Sequence, residues 1–139
     1  MPHTPVLPRI VATLWLATQP LLASAGAGSY ASDTVGPGIA VRNMPYRAAF
    51  PLLGTPPADG RITSVYYAWQ FSPHPPGLTV LLCQGSRCVN VSQHASGSTQ
   101  AFHDLNPTQP FYLQYSVTGS GALMPVYSGK QQLAVSYVF

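Results

Sequence analysis

The chain has 139 residues, of which 46% are hydrophobic and only 6% charged, against roughly 25% charged in an average soluble domain. Asp33, Asp59 and Asp104 are the only acids, glutamate is absent, and 15 prolines with 12 glycines punctuate the chain; long charged helices and charge-rich disorder are excluded. The formal charge of +3 rests on Arg9, Arg42, Arg47, Arg61, Arg87 and Lys130, which stand singly and build no continuous basic footprint for nucleic acid.

Residues 1–25 read as a cleaved signal peptide. Arg9 supplies the positive start, Ile10 to Leu22 the apolar stretch, and Ala23-Ser24-Ala25 the small-x-small site before Gly26. Thr18-Gln19-Pro20 interrupts the apolar stretch, which falls short of the ~20 residues a spanning helix needs, so a membrane anchor is the lesser reading. Residues 26–139 are then one exported domain with no stable membrane insertion, and the sequence leaves its oligomeric state open.

Short alternating runs separated by Pro, Gly, Asn and Ser predict an all-β domain, a small antiparallel β-sandwich or barrel-like fold of seven or eight strands. Gly38 to Asn43 is the first expected strand. The most exposed loop by composition is Gly54 to Gly60. In Arg61 to Phe71, Val65, Tyr67, Trp69 and Phe71 recur at period two and should face the core, with Tyr66 on the opposite face. Pro73-His74-Pro75-Pro76-Gly77 is a turn, because its prolines lack backbone donors. Leu78 to Cys83 and Cys88 to Gln93 form a hairpin around the four-residue loop Gln84-Gly85-Ser86-Arg87. Further strands are expected at Thr99 to His103, at Phe111 to Val117 with Phe111, Leu113, Tyr115 and Val117 inward, and at Leu133 to Val138 with Leu133, Val135 and Tyr137 inward. Leu123 to Tyr127 reads as a short edge strand, where Pro125 is tolerated.

Two cysteines in an exported chain, flanking a hairpin turn, read as a structural disulfide between Cys83 and Cys88. Free metal-binding or redox thiols are the alternative. Alternation puts Val80, Leu82, Val89 and Val91 on one apolar face, so the disulfide is expected on the more polar, outer face.

Catalytic constellations are not apparent. The three acids fall in loops or at strand ends, where no carboxylate pair is set up. His103 and Asp104, as strand neighbours, are expected to point to opposite faces. His74, His94 and His103 have no metal-ligand spacing, no cofactor motif occurs, and the G-x-S-x-G elbow and S-x-x-K are missing from residues 26–139. The expectation is a non-enzyme acting by binding, without metal or cofactor. Tyr66, Tyr112 and the loop residue Arg87 are the candidate contacts, with ordinary surface residues as the alternative.

Gly77-Leu78-Thr79-Val80-Leu81-Leu82-Cys83, then Arg87-Cys88-Val89, preceded by Ala68-Trp69, resembles the flagellar FlhE family. Gly97 to Phe102, Pro110-Phe111, Gly119 to Pro125 and the closing Gln132-Leu133-Ala134-Val135-Ser136-Tyr137 follow in the family's order. The resemblance covers residues 60–138 well and 26–59 poorly. It implies a small periplasmic all-β accessory of the flagellar system. It also implies a partner in the export apparatus or basal body, and a role in limiting proton leakage at the type III secretion gate as a plug or chaperone. A secreted carbohydrate-binding or inhibitor-like β domain is the alternative function.

Overall fold

The computed structural model describes His3 and residues 26–139. The expected signal peptide, apart from His3, lies outside the described residues.

The described residues form ten antiparallel strands: β1 (Ala27–Thr34), β2 (Tyr46–Ala49), β3 (Arg61–Ala68), β4 (Phe71–Ser72), β5 (Leu78–Gln84), β6 (Arg87–Asn90), β7 (Ser96–Thr99), β8 (Phe111–Val117), β9 (Tyr127–Ser128) and β10 (Gln131–Val138). The all-β antiparallel expectation holds, with more strands than the seven or eight foreseen. One four-stranded sheet has the order β1-β10-β3-β7, a second the order β2-β8-β5-β6, and β4 pairs with β9 at the side. The inward faces of the two large sheets share one apolar core. Within it Phe71 packs on Tyr115 with ring centres 4.6 Å apart, and Phe102 meets Phe111 edge-on at 5.0 Å.

Strict alternation carries the legible strands. In β8, Phe111, Leu113, Tyr115 and Val117 are buried while the residues between them are not, as period-two patterning requires of a strand with one solvated face. Leu133 and Val135 of β10 are buried as expected, whereas Tyr137 is half-buried. Val65, Tyr67, Trp69 and Phe71 all reach the core, but they do not share one strand. The ladder stops at Ala68, and Gln131 takes over: its side chain accepts from the Gln70 amide at 2.9 Å and donates to the Gln70 carbonyl at 2.9 Å. A register shift between Ser136 and Tyr137, where β10 meets β3, brings Ile62 inward as well as Val65.

Several expectations are corrected. Gly38 to Asn43 is no strand; it contributes one bridge, Ile39 to Val126. Pro37 removes a donor just before it, and Asn43 at φ 60° turns the chain while its side chain donates to the Gly119 carbonyl. The first strands are instead β1 and β2, which the sequence reading missed. Strand β7 ends at Thr99, where the Thr99 hydroxyl accepts from the Ala101 amide and the chain turns about the fully buried Phe102. Thr99 to His103 is therefore mostly turn. The hairpin loop is two residues, since Gln84 pairs with Arg87 in the ladder, and Gly85 at φ 58° supplies the positive φ that the tight turn needs. Leu123 to Tyr127 is strand only at its end, and the Gly54 to Gly60 loop buries Pro56 and Gly60.

Candidate interaction surfaces

Central strands β5 and β8 run side by side, with Cys83 opposite Tyr112 and, on the other side, opposite Cys88. Cys83 and Cys88 are joined by a disulfide with Cα atoms 4.1 Å apart. Their environments differ. Cys88 is exposed on the outer face as expected, whereas Cys83 is fully buried, which corrects the expectation of an outer, solvated bridge. The reason is Tyr112: its hydroxyl donates to the Gly85 carbonyl at 2.8 Å, so the ring passes alongside Cys83 toward the turn. The Arg47 guanidinium lies 4.5 Å above the Tyr112 ring and donates to the Gln114 side-chain carbonyl at 3.2 Å. Arg47 is thus stacked and oriented.

Of the three candidate contacts, the structure brings Arg87 and Tyr112 to the same hairpin end. Arg87 is exposed and donates to the Ala101 carbonyl at 3.0 Å, which directs it toward the end of the sandwich. Tyr66 stands apart from them on the outer face of the other sheet, 44% exposed. Sequence reasoning missed Arg47. The signal was the alternation Tyr46-Arg47-Ala48-Ala49, with Tyr46 and Ala48 turned inward, in a segment not read as strand.

Tyr66 lines a groove of about 440 Å³ whose floor is Ala31 and Ala134 and whose far wall is Pro51 and Leu53; Asp33 is its only formally charged residue. A second depression, about 360 Å³, lies between Trp69, His74 and Gln93. Trp69 offers no open platform there: it is 8% exposed, its indole donates to the Val91 carbonyl at 3.0 Å, and His74 sits with ring centres 5.6 Å away.

Asp59 and Asp104 line one shallow depression with Arg61, Val138 and Phe139, and no serine, cysteine or lysine is among its lining residues. Asp33 sits 3.6 Å from Lys130 on the surface. Asp104 occupies a turn at φ 68° rather than a strand, and there His103 Nδ1 lies 3.3 Å from its carboxylate, correcting the expectation that the two point apart. Both side chains are more than half exposed. Among the described residues, no three of His, Cys, Asp and Glu form a group able to hold a metal ion. The polar side chains in the core are Ser32, Gln84 and Gln131, none of them ionisable. Burial lifts the phenols of two core tyrosines: Tyr30 reaches about 12, helped by neighbouring Tyr137, and Tyr115 also rises, an effect countered in part by its hydrogen bond with Ser128.

The family model described as flagellar protein FlhE matches residues 37–138, so the match begins well before residue 60. Flagellar protein FlhE of Escherichia coli (strain K12) is 36% identical over 106 residues, covering 76% of this chain and 80% of that relative. Flagellar protein FlhE of Salmonella typhimurium is 31% identical over 116 residues, covering 82% and 88%. The crystal structure of FLHE superposes with a TM-score of 0.73 at 28% identity, covering 81% of this chain and 98% of that one.

Proposed function

The chain belongs to the flagellar protein FlhE family and is a flagellar accessory protein, and from that premise we propose that it acts in the periplasm, by binding rather than catalysis. Its partner is at or near the flagellar type III export apparatus, and its role is to limit proton leakage during assembly. The carrying observation is the interior: among the described residues the packed core holds no carboxylate, histidine, lysine or arginine. A body of this kind can obstruct a water-filled path sterically while offering, among its described core residues, no group that changes charge near neutral pH and could pass a proton along. The disulfide supports an exported location, because such bonds persist in oxidising compartments.

Export through residues 1–25 and the contact residues belong to the same reading. Arg47 stacked on Tyr112 gives a cation and aromatic pair of the residue types that anchor protein interfaces, and Arg87 adds a second exposed cation at the same hairpin end. The test is deletion of the gene, scoring motility and cytoplasmic pH in cells that are assembling flagella. The expected result is a lower cytoplasmic pH in an acidic medium, restored by the wild-type chain. Unchanged pH and motility, together with tight glycan binding by the purified protein, would reject the reading.

A further inference from the structure

The four edges of the two large sheets are finished differently. Strands β2, β6 and β7 are four residues each, whereas β1 runs for eight. Gly26 and Phe139 exchange both of their backbone hydrogen bonds, at 2.6 and 2.9 Å, which fixes the phase of the ladder between β1 and β10. Gly28, Tyr30 and Ser32 therefore bond inward to β10. The N–H and C=O groups of Ala27, Ser29 and Ala31 point out from the free edge, and among the described residues no backbone partner meets them.

Native edges are usually blunted by shortness, by proline, by lysine or by a bulge. From Ala27 to Ser32, β1 has none of these, and the side chains flanking the edge on the outer face are Ala27, Ser29 and Ala31. Where Ala31 lies, the groove with Ala134, Leu53 and Tyr66 opens directly onto the edge.

We propose that β1 is a docking edge for an extended segment of a partner polypeptide, which adds as a fifth strand and carries an apolar side chain opposite Ala31 and a lysine or arginine two residues along, beside Asp33. The main-chain groups specify the strand. The outer-face row Ala31, Ala134, Tyr66 leaves room for one apolar side chain against Leu53. Side chains two residues apart in a strand share a face, so the residue next in line meets Asp33, the sole formal charge of the groove. The Lys130 contact to Asp33, at 3.6 Å with both side chains about 60% exposed, is a weak surface pair that a second cation can share or displace.

This inference deepens the binding role proposed above and rests on it, yet its test reads the edge alone: deletion can still disturb pH and motility if the edge result is negative. The probe is a phage-displayed library of random dodecapeptides, selected on the purified chain. Selected peptides should share apolar-x-basic or basic-x-apolar spacing and should shift the amide signals of Ala27, Ser29 and Ala31. Ser29→Pro removes an outward donor without touching the bonds to β10, and Ala31→Arg fills the groove floor while leaving the backbone intact. Each should weaken binding by about tenfold or more, while Ser116→Ala on β8 of the opposite sheet should leave it unchanged. Three results would overturn the proposal: no reproducible binder, equal binding by both edge variants, or shifts confined to the Arg47 and Tyr112 face. A concentration-dependent dimer dissolved by Ser29→Pro would also overturn it, because the edge would then belong to a second copy of the chain.

Discussion

Strands β6 and β1 close opposite sheets of the same sandwich, and they do so in opposite ways. Strand β6 is four residues long and is tied to its neighbour by the Cys83–Cys88 disulfide, with a tight Gly85-Ser86 turn at its start. Strand β1 is twice as long, has no covalent tie, and presents small side chains beside unpaired backbone groups. Edge protection is therefore local: the hairpin is insulated, whereas the long strand is left able to pair. In a protein whose ionisable groups are few, main-chain hydrogen bonding is an available source of specificity that charge cannot supply.

The largest expected effect tests whether the two edges rest on one core. Leu82→Ala under the stapled edge and Leu133→Ala beside β1 both remove fully packed side chains, and each should cost about 2–5 kcal/mol in urea unfolding. Both should shift a single cooperative transition. If Leu133→Ala produced a separate early transition confined to β1, the bare edge would be an independent unit rather than one margin of a shared core.

Next comes the staple. Replacing both cysteines with alanine should lower stability by about 2 kcal/mol while keeping the fold, since the closed loop is short. The two sulfurs should also differ: in Cys83→Ala the remaining Cys88 should react readily with a small thiol reagent, whereas in Cys88→Ala the buried Cys83 should react much more slowly. Equal labelling rates would show that Tyr112 does not shield the central strand.

This contrast also marks what was legible in the sequence. Strand β8 could be read residue by residue because Phe111, Leu113, Tyr115 and Val117 alternate with polar or amphipathic neighbours, and the cysteine spacing announced its hairpin. Strand β1 could not. Its sequence, Ala-Gly-Ser-Tyr-Ala-Ser-Asp-Thr, places a serine and a glycine inward beside Tyr30, so apolar periodicity is nearly absent. Pairing with β10 over its whole length supplies what the local pattern lacks. The site was half legible for a related reason. Tyr112 followed from alternation, but Arg47 depended on recognising β2, and the separation of Tyr66 from Arg87 depended on which sheet each strand joins, which no local pattern encodes.

Tyr30 offers a finer probe of the bare edge. Its hydroxyl is buried without a hydrogen-bond partner, so Tyr30→Phe should be neutral or stabilising by about 1 kcal/mol at neutral pH. The pH dependence follows from burial, which lifts the folded-state phenol to about 12 from an unfolded value near 10. Stability is then full below pH ~10 and falls as the pH rises toward 12, because the unfolded chain ionises first. Urea midpoints at pH 8 and pH 11 should show a smaller alkaline loss in Tyr30→Phe than in the wild type. An identical loss in both would place the titration elsewhere.

The smallest expected effect concerns Arg47. Its guanidinium is exposed, stacks 4.5 Å from the Tyr112 ring and bonds to Gln114, so each interaction is shared with water and the stability lost in Arg47→Ala should be under about 1 kcal/mol. Reactivity should respond more than stability. With Arg47 gone, only the hydroxyl contact to Gly85 holds the Tyr112 ring beside Cys83, and reduction of the disulfide by dithiothreitol should quicken by a few-fold. Tyr112→Ala should quicken it further, since the ring itself is then absent. An Arg47→Ala variant losing more than about 2 kcal/mol would instead make the outer face of this sheet a structural element. In that case its stacked arginine would be accounted for without any partner, and the proposed docking edge of β1 would not depend on it.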